Sequence, residues 1–497
     1  MARQAILAID QGTTNTKVLV FAGDGALLAR ASRPNRTDHP HPAWAEQSAS
    51  AIWDGVVDAI AEVAAGDYEI AGIAVSNQRE SVVVWDAATG EPVGPCILWQ
   101  CRRTSDRCAR LRDAGLEAEI VDRSGLAIDP LFSAAKMAWL LDQAPDGRPR
   151  AARGELRAGT IDSWLLWNLT GGRHATDVSN ASRTQLFNLD TLSWDPRLAD
   201  IFDVPLSILP EVLASNGGFG ATTAEATALP AGVPILAMAG DSHAALFGHG
   251  VSTPGGVKVT CGTGSSILSL TDRRIRSHNG LSSTIAWGLD ADVLHAVEGN
   301  ISVSGHTAAF TVGLLGLKDE AELTALASSV PDSGGVVMVP AFVGLGAPHW
   351  NDQARGLVCG MTLGTTRAHV ARAALEAIAL QIADVLAAME ADLGRTFDAV
   401  HVDGGAAAND LLMQLLSDVS DRPIRHGASV ELSALGAARM TGRVQDVSGK
   451  AVPDPPDFRP TMPPSTRDAL RTRWADALAR TLLAPAAPET PASGAGS

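Results

Sequence analysis

The sequence predicts an α/β protein of two similar domains, on three observations. The chain has 497 residues, too many for one ordinary hydrophobic core. Short apolar runs of strand composition recur along it, each followed by a small-residue turn or by apolar residues at helical spacing. One layout, strand, Gly-Thr turn, strand, occurs twice, as "AIDQGTTNTKVLVF" near the start and "VTCGTGSSILSL" from Val259. With 46% hydrophobic residues and 48 glycines, the composition suits a large α/β enzyme.

The elements follow in chain order. "AILAIDQGTTNTKVLVF" reads as two buried strands broken by a polar turn, and "EIAGIAVSNQ" as a third strand. "VPILAMAGDSHAALFGHG" reads as a strand entering a helix near Asp241. "GHGVSTPGG" breaks the pattern and marks the domain boundary, giving domains 1–248 and 249–481. "GGVKVTCGTGSSILSL" opens the second half, and "GVVMVPAFVGLG" supplies a further strand-like run. "HVARAALEAIALQIADVLAAME" from His369 carries Arg372, Glu376 and Asp384, which fits a buried or amphipathic helix and not a membrane span. "FDAVHVDGGAAANDLLMQLLSD" is a strand, a glycine turn and a helix, with Leu411, Leu412, Leu415 and Leu416 at helical spacing. Residues 482–497, rich in Pro, Ala and Ser, are expected to form a disordered tail.

A formal net charge of −16 opposes binding to nucleic acid or to an anionic membrane surface. Five cysteines, an odd number, are expected to be reduced thiols in a cytoplasmic protein. Three of them fall in "CILWQCRRTSDRC" without histidines, which suits ordinary thiols better than a metal site.

The turns suggest chemistry. A Gly-Thr turn between strands offers amides and hydroxyls to phosphate oxygens, and the Asp10 carboxylate beside the first turn suits Mg²⁺ held between carboxylate and phosphate. Lys17 could add positive charge there, while the plainer reading makes Asp10 a turn cap. The second turn at Gly262-Thr263-Gly264 and the Gly404-Gly405 turn point the same way. In "SNQRES", Arg79 and Glu80 are either a surface ion pair or donors and acceptors for a polyhydroxylated ligand. Trp99 is either core or a flat wall against polyol C–H faces. Asp241 is either a helix N-cap or a general base for a substrate hydroxyl.

These motifs, with "SNQRE", "LWQCRRT", "NASRTQLFN", "GDSHAALFG", "VPAFVGLGAPHW", "ELSALGAA" and "GLVCGMTLGTTRAHVARAALE" (Gly356–Glu376), resemble the FGGY carbohydrate kinases over nearly the whole chain, and most of all the glycerol kinases among them. The resemblance implies a two-domain actin-like ATPase (ribonuclease H-like) fold with ATP and substrate meeting in the cleft between domains. It implies that Asp241 is the general base and that Asp10 helps hold Mg²⁺. Thr13, Thr14, Asn15, Lys17 and Thr263 fall at its phosphate turns, and Gly305, Ala309, Gly405 and Asn409 at its nucleotide pocket. Arg79, Glu80, Trp99, Leu131 and Ser242 match positions that contact the substrate, a small polyol or sugar. A homodimer is implied in the same way.

Three positions depart from the glycerol-kinase pattern. Leu131 stands for a tyrosine, Ser242 for a glutamine in the substrate pocket, and Ala309 for a glutamine on the nucleotide side. Losing a phenol and an amide removes partners for substrate hydroxyls and enlarges the pocket, with His243 as a replacement polar group. The expected substrate is therefore glycerol or a close relative, or else a longer polyol or ketose such as erythritol, a pentitol, xylulose or ribulose. An actin-like ATPase without a sugar substrate is the rival from another class, and it would have no use for Arg79, Glu80, Trp99 and Asp241 together.

Overall fold

The computed structural model describes residues 3–427, 431–445 and 458–483. The expected tail at 482–497 lies almost wholly outside the described residues, and the last helix, Pro464–Leu482, runs one residue into it.

The first half is built on a five-stranded sheet. Its strands are β1 (Arg3–Gln11), β2 (Asn15–Ala22), β3 (Leu27–Pro34), β4 (Tyr68–Asn77) and β5 (Ile235–Gly240), in the order β5-β4-β1-β2-β3. β1 pairs antiparallel with β2 and parallel with β4, so Asp10 lies opposite Lys17 on one side and Ser76 on the other. The centre of β1 is buried residue after residue, as expected of a strand covered on both faces.

A six-stranded sheet carries the second half. It consists of β6 (Val257–Cys261), β7 (Ser265–Thr271), β8 (Ser282–Leu289), β9 (Asp292–Ile301), β10 (Val400–Asp403) and β11 (Ile424–His426), in the order β8-β9-β7-β6-β10-β11. Apart from the edge strand β8, this sheet repeats the first. β9, β7, β6, β10 and β11 carry the same two antiparallel and two parallel pairings as β3, β2, β1, β4 and β5. The two Gly-Thr turns singled out in the sequence are the β1–β2 and β6–β7 turns, at equivalent places in the two sheets. This doubled sheet order is that of the actin-like ATPase fold.

Each half has its own apolar core, and a third core lies between them. The third joins Ile6, Ala74 and Ala239 of the first sheet to Leu268 and Ala296 of the second, through the helices Asp241–Gly248 and Leu432–Met440. The second of these helices comes late in the chain yet packs against β1 and β4, and Arg443 beyond it donates to the Ala71 carbonyl. The long helix Arg367–Leu393 is largely buried, and among the described residues no helix is long and apolar enough to cross a membrane.

The two bridging helices approach at glycines. A Cβ on Gly436 would sit 1.8 Å from the Ala244 carbonyl oxygen, and one on Gly248 would sit 2.3 Å from that of Leu432. Gly436→Ala must therefore push apart the helix whose first residue is Asp241 and its neighbour. We expect a loss of about 3 kcal/mol in urea unfolding, and a change within about 0.5 kcal/mol would contradict this packing.

Candidate active site

The β1–β2 turn is closed by the Gly12 amide donating to the Asn15 carbonyl at 3.0 Å. Asp10, the residue before last on β1, accepts from Ser76 Oγ at 3.0 Å, so it is not a cap of its own turn. Burial pushes its carboxyl up to about 6; Lys17 opposes the shift and the neighbouring charge of Asp241 adds to it. Lys17 is held by Glu431, Nζ to Oε2 at 2.8 Å, and not by the turn. Thr14 is exposed at the tip. The Thr13 hydroxyl donates to Gln78 Oε1 at 3.2 Å and accepts from Trp99 Nε1 at 2.9 Å. The half-buried Trp99 is therefore neither plain core nor a free wall, because its indole N–H ties it to the turn.

At the β6–β7 turn, Thr263 is exposed and its carbonyl accepts from the amides of Ser304 and His306 at 3.0 and 3.1 Å. The Gly305 amide donates to the Gly262 carbonyl at 3.0 Å. A Cβ on Gly305 would lie 2.5 Å from that oxygen, so only glycine lets the helix Gly305–Leu315 start against the turn. Ala309 is exposed on this helix. Gly405 is exposed after β10, and Asn409 caps the helix Asp410–Ser420, accepting from the Leu412 amide at 3.1 Å and donating to Thr324 Oγ1 at 2.8 Å.

Between the two sheets lies a ring of buried charge. Arg79 Nη1 meets Glu298 Oε1 at 2.7 Å, and Glu298 Oε2 meets Arg183 Nη2 at 2.8 Å. Arg183 Nε meets Glu80 Oε1 at 2.7 Å, and Glu80 closes the ring toward Arg79 at 4.0 Å. Arg79 and Glu80 are thus buried and not a surface pair. Although burial works against it, the two guanidiniums hold the Glu298 carboxyl far below the usual range. Arg79 Nη2 also reaches Ser266 Oγ at 3.4 Å, next to the second turn, and its Nε lies 3.3 Å from Asp241 Oδ1.

Asp241 is the first helical residue, with Gly240 at the N-cap position. Its side chain remains 36% exposed, unlike its ion-pair partner Arg79. Burial raises the pKa of the carboxyl, with Arg79 opposing. Ser242 is nearly buried, and its amide donates to Asp241 Oδ1 at 2.6 Å. His243 is fully enclosed, its Nε2 lies 3.5 Å from Thr284 Oγ1, and burial keeps the ring neutral. It is fully buried beside Thr284 of the second sheet and so does not offer a polar group in place of the missing amide. Leu131 is half-buried.

Sequence reasoning missed Glu298 and Arg183. "NASRTQLFN" had flagged the arginine without a role, whereas nothing around Glu298 in "HAVEGN" sets it apart from an ordinary strand residue.

Two sheets of the same strand order, with Gly-Thr turns at equivalent places, define a protein of the actin-like ATPase class. The FGGY family of carbohydrate kinases matches in both its parts, the N-terminal domain over residues 5–248 and the C-terminal domain over 257–443. A glycerol kinase of Symbiobacterium thermophilum is 45% identical over 494 residues, 97% of this chain and 99% of the relative. One from Burkholderia cenocepacia is 47% identical over 449 residues, 89% of each chain. The crystal structure of Plasmodium falciparum glycerol kinase with ADP superposes with a TM-score of 0.89 at 29% identity, over 97% of this chain and 99% of that one. A xylulose kinase from Lactobacillus acidophilus, at 21% identity and a TM-score of 0.83 over 96% of this chain and 97% of its own, shares the fold. The chain belongs to the FGGY family of carbohydrate kinases and is a sugar or polyol kinase, which implies that it uses ATP.

The charge ring gives a stability prediction. Arg79→Met leaves the fully buried Glu298 short of one partner, and we expect a loss of about 3–5 kcal/mol in urea unfolding. Arg79→Met/Glu298→Met removes both charges and should lose less than the single variant. A double variant as unstable as the sum of the two singles would contradict the pairing.

Proposed function

We propose that the chain transfers the γ-phosphoryl group of Mg²⁺-ATP to a hydroxyl of glycerol or a closely related small polyol. The observation that carries this reading is Asp241, a carboxylate left partly exposed and of raised pKa beside buried Arg79, close enough to Asp10 to raise that group's pKa. Such a carboxylate is poised to take a proton from a hydroxyl as it attacks phosphorus. Arg79 and Glu80 orient the polyol through donors and acceptors, and Trp99 packs its C–H faces. Because Trp99 also holds Thr13, the polyol wall and the first phosphate turn are one unit. Thr13, Thr14, Asn15 and Thr263 face phosphates from both sheets, Lys17 contributes charge through Asp10, and Gly305, Ala309, Gly405 and Asn409 line the nucleotide side. Burying reactants between two sheets excludes the water that would otherwise hydrolyse ATP.

The residues fit Mg²⁺. Among the described residues, no group of three or more His, Cys, Asp or Glu side chains could hold a cation alone. Mg²⁺ keeps waters and commonly binds through one or two carboxylates plus substrate phosphates, and Asp10 beside the phosphate turns offers one such carboxylate. The ion would supply charge neutralisation at the phosphates.

Leu131 and Ser242 favour a second reading, a longer polyol or ketose, because a phenol and an amide that would bind glycerol hydroxyls are missing. The proposal further divides the chain into domains at 248/249 and, from five unpaired cysteines of which four are buried, places it in the cytoplasm. It takes the assembly as a homodimer, on family likeness.

The test is ADP release with Mg²⁺-ATP across glycerol, erythritol, threitol, ribitol, arabinitol, xylitol, xylulose and ribulose. Glycerol should give the highest kcat/KM. A four- or five-carbon compound with a higher value would transfer the assignment to the second reading, and equal ADP release without any polyol would favour the rival ATPase.

A further inference from the structure

The ammonium of Lys136 has three N–H donors, and three backbone carbonyls receive them: Leu131 at 2.6 Å, Glu80 at 3.2 Å and Trp99 at 3.4 Å. These are three of the residues assigned above to the polyol pocket, and they come from three separate segments of the chain. Lys136 is fully buried on the helix Ser133–Gln143. Burying an ammonium is costly unless every donor is used, and here each one is used on a pocket residue.

Glu80 shows why a clamp is needed. Its φ is +60°, and the Ser81 amide donates to the Arg79 carbonyl at 2.7 Å, which makes a tight three-residue turn centred on Glu80. A bulky residue rarely adopts this conformation, which costs about 1–3 kcal/mol and persists only where its surroundings hold it. The Glu80 carbonyl is held by both Lys136 Nζ and Ser133 Oγ, each at 3.2 Å. Ser81 Oγ in turn accepts from the Trp99 amide at 3.0 Å.

We propose that Lys136 is a positioning residue that sets the three walls of the polyol pocket, at Glu80, Trp99 and Leu131, relative to one another. The proposal rests on the polyol reading of the site. Lys136 acts through backbone and makes no contact of its own with substrate. It holds none of Thr263, Gly305 and Asn409, and its one link to the phosphate side runs through Trp99 to the Thr13 hydroxyl, so its removal should affect the polyol more than the nucleotide. Burial also lowers its pKa to about 8, against the opposing carboxylates of Glu80 and Asp129; the thiols of Cys101 and Cys96 face it as well. Above that pH the neutral amine has two N–H groups for three carbonyls, and one wall is released.

The experiment measures KM for glycerol and for ATP separately, between pH 6.5 and about 9.5. Lys136→Met should raise the glycerol KM about tenfold or more while the ATP KM stays within about threefold. Ser133→Ala, which leaves Glu80 one donor, should give a smaller rise of the same kind. In the wild-type chain the glycerol KM should climb above pH about 8, and this climb should be absent in Lys136→Met. A folded Lys136→Met protein with glycerol KM within about twofold of wild type overturns the role. If that variant does not fold, a flat wild-type profile together with a silent Ser133→Ala overturns it. Should the wild-type chain show no polyol-dependent ADP release at all, the polyol reading falls, and this role falls with it.

Discussion

The site depends on one interaction, the ion pair between Arg79 on the first half and Glu298 on the second. Four charged side chains, Arg79, Glu298, Arg183 and Glu80, are taken out of water together. Each loses several kcal/mol of hydration, and well-packed apolar residues of similar size would serve stability at least as well. Stability is therefore a poor explanation for the ring. What the ring does supply is geometry. It fixes a guanidinium and a carboxylate between the two halves, and the same guanidinium lies 3.3 Å from Asp241. The proposed base and the proposed polyol donors thus share a frame that includes both sheets.

The fold supplies the rest of that frame through strand ends. Asp10 lies near the end of β1, Arg79 just after β4 and Asp241 just after β5, three neighbouring parallel strands whose C-terminal ends share one edge. The crevice outside such strand ends is where ligands of open α/β sheets commonly bind. The second sheet presents its own Gly-Thr turn by the same topology. Gly436 and Gly248, where a Cβ would fall 1.8 and 2.3 Å from a carbonyl oxygen of the other helix, let the Asp241 helix lie close to the helix Leu432–Met440, and so a change far from the chemistry can move the base.

Much of this was legible in the sequence. The broken strand at "AIDQGTTNTK" and its echo at "VTCGTGSS" gave the duplicated hairpin, because strand and turn chemistry are local. Asp241 was legible because a strand-to-helix junction can be read from a few residues. What stayed hidden were partners distant along the chain. Glu298 lies 219 positions from Arg79, and nothing local marks it. Nothing local in "AAKMAWLLD" marks Lys136 for a role, and only the folded chain shows three carbonyls around it. Lys17 sits in the motif beside the first turn, but its ion-pair partner Glu431 lies far along the chain and could not be read there. His243 looked like a polar substitute in the cleft because sequence cannot tell which side of a helix faces the second sheet.

The central claim is that Asp241 takes the proton of the attacking hydroxyl, and it is tested most directly by Asp241→Asn. The amide keeps the shape of the carboxylate and removes its basicity. ATP binding, followed by calorimetry, should stay within about threefold of wild type, while polyol-dependent kcat falls by about 10²-fold or more. Near-normal turnover in a variant that binds ATP normally would contradict the claim and leave the cleft without its base.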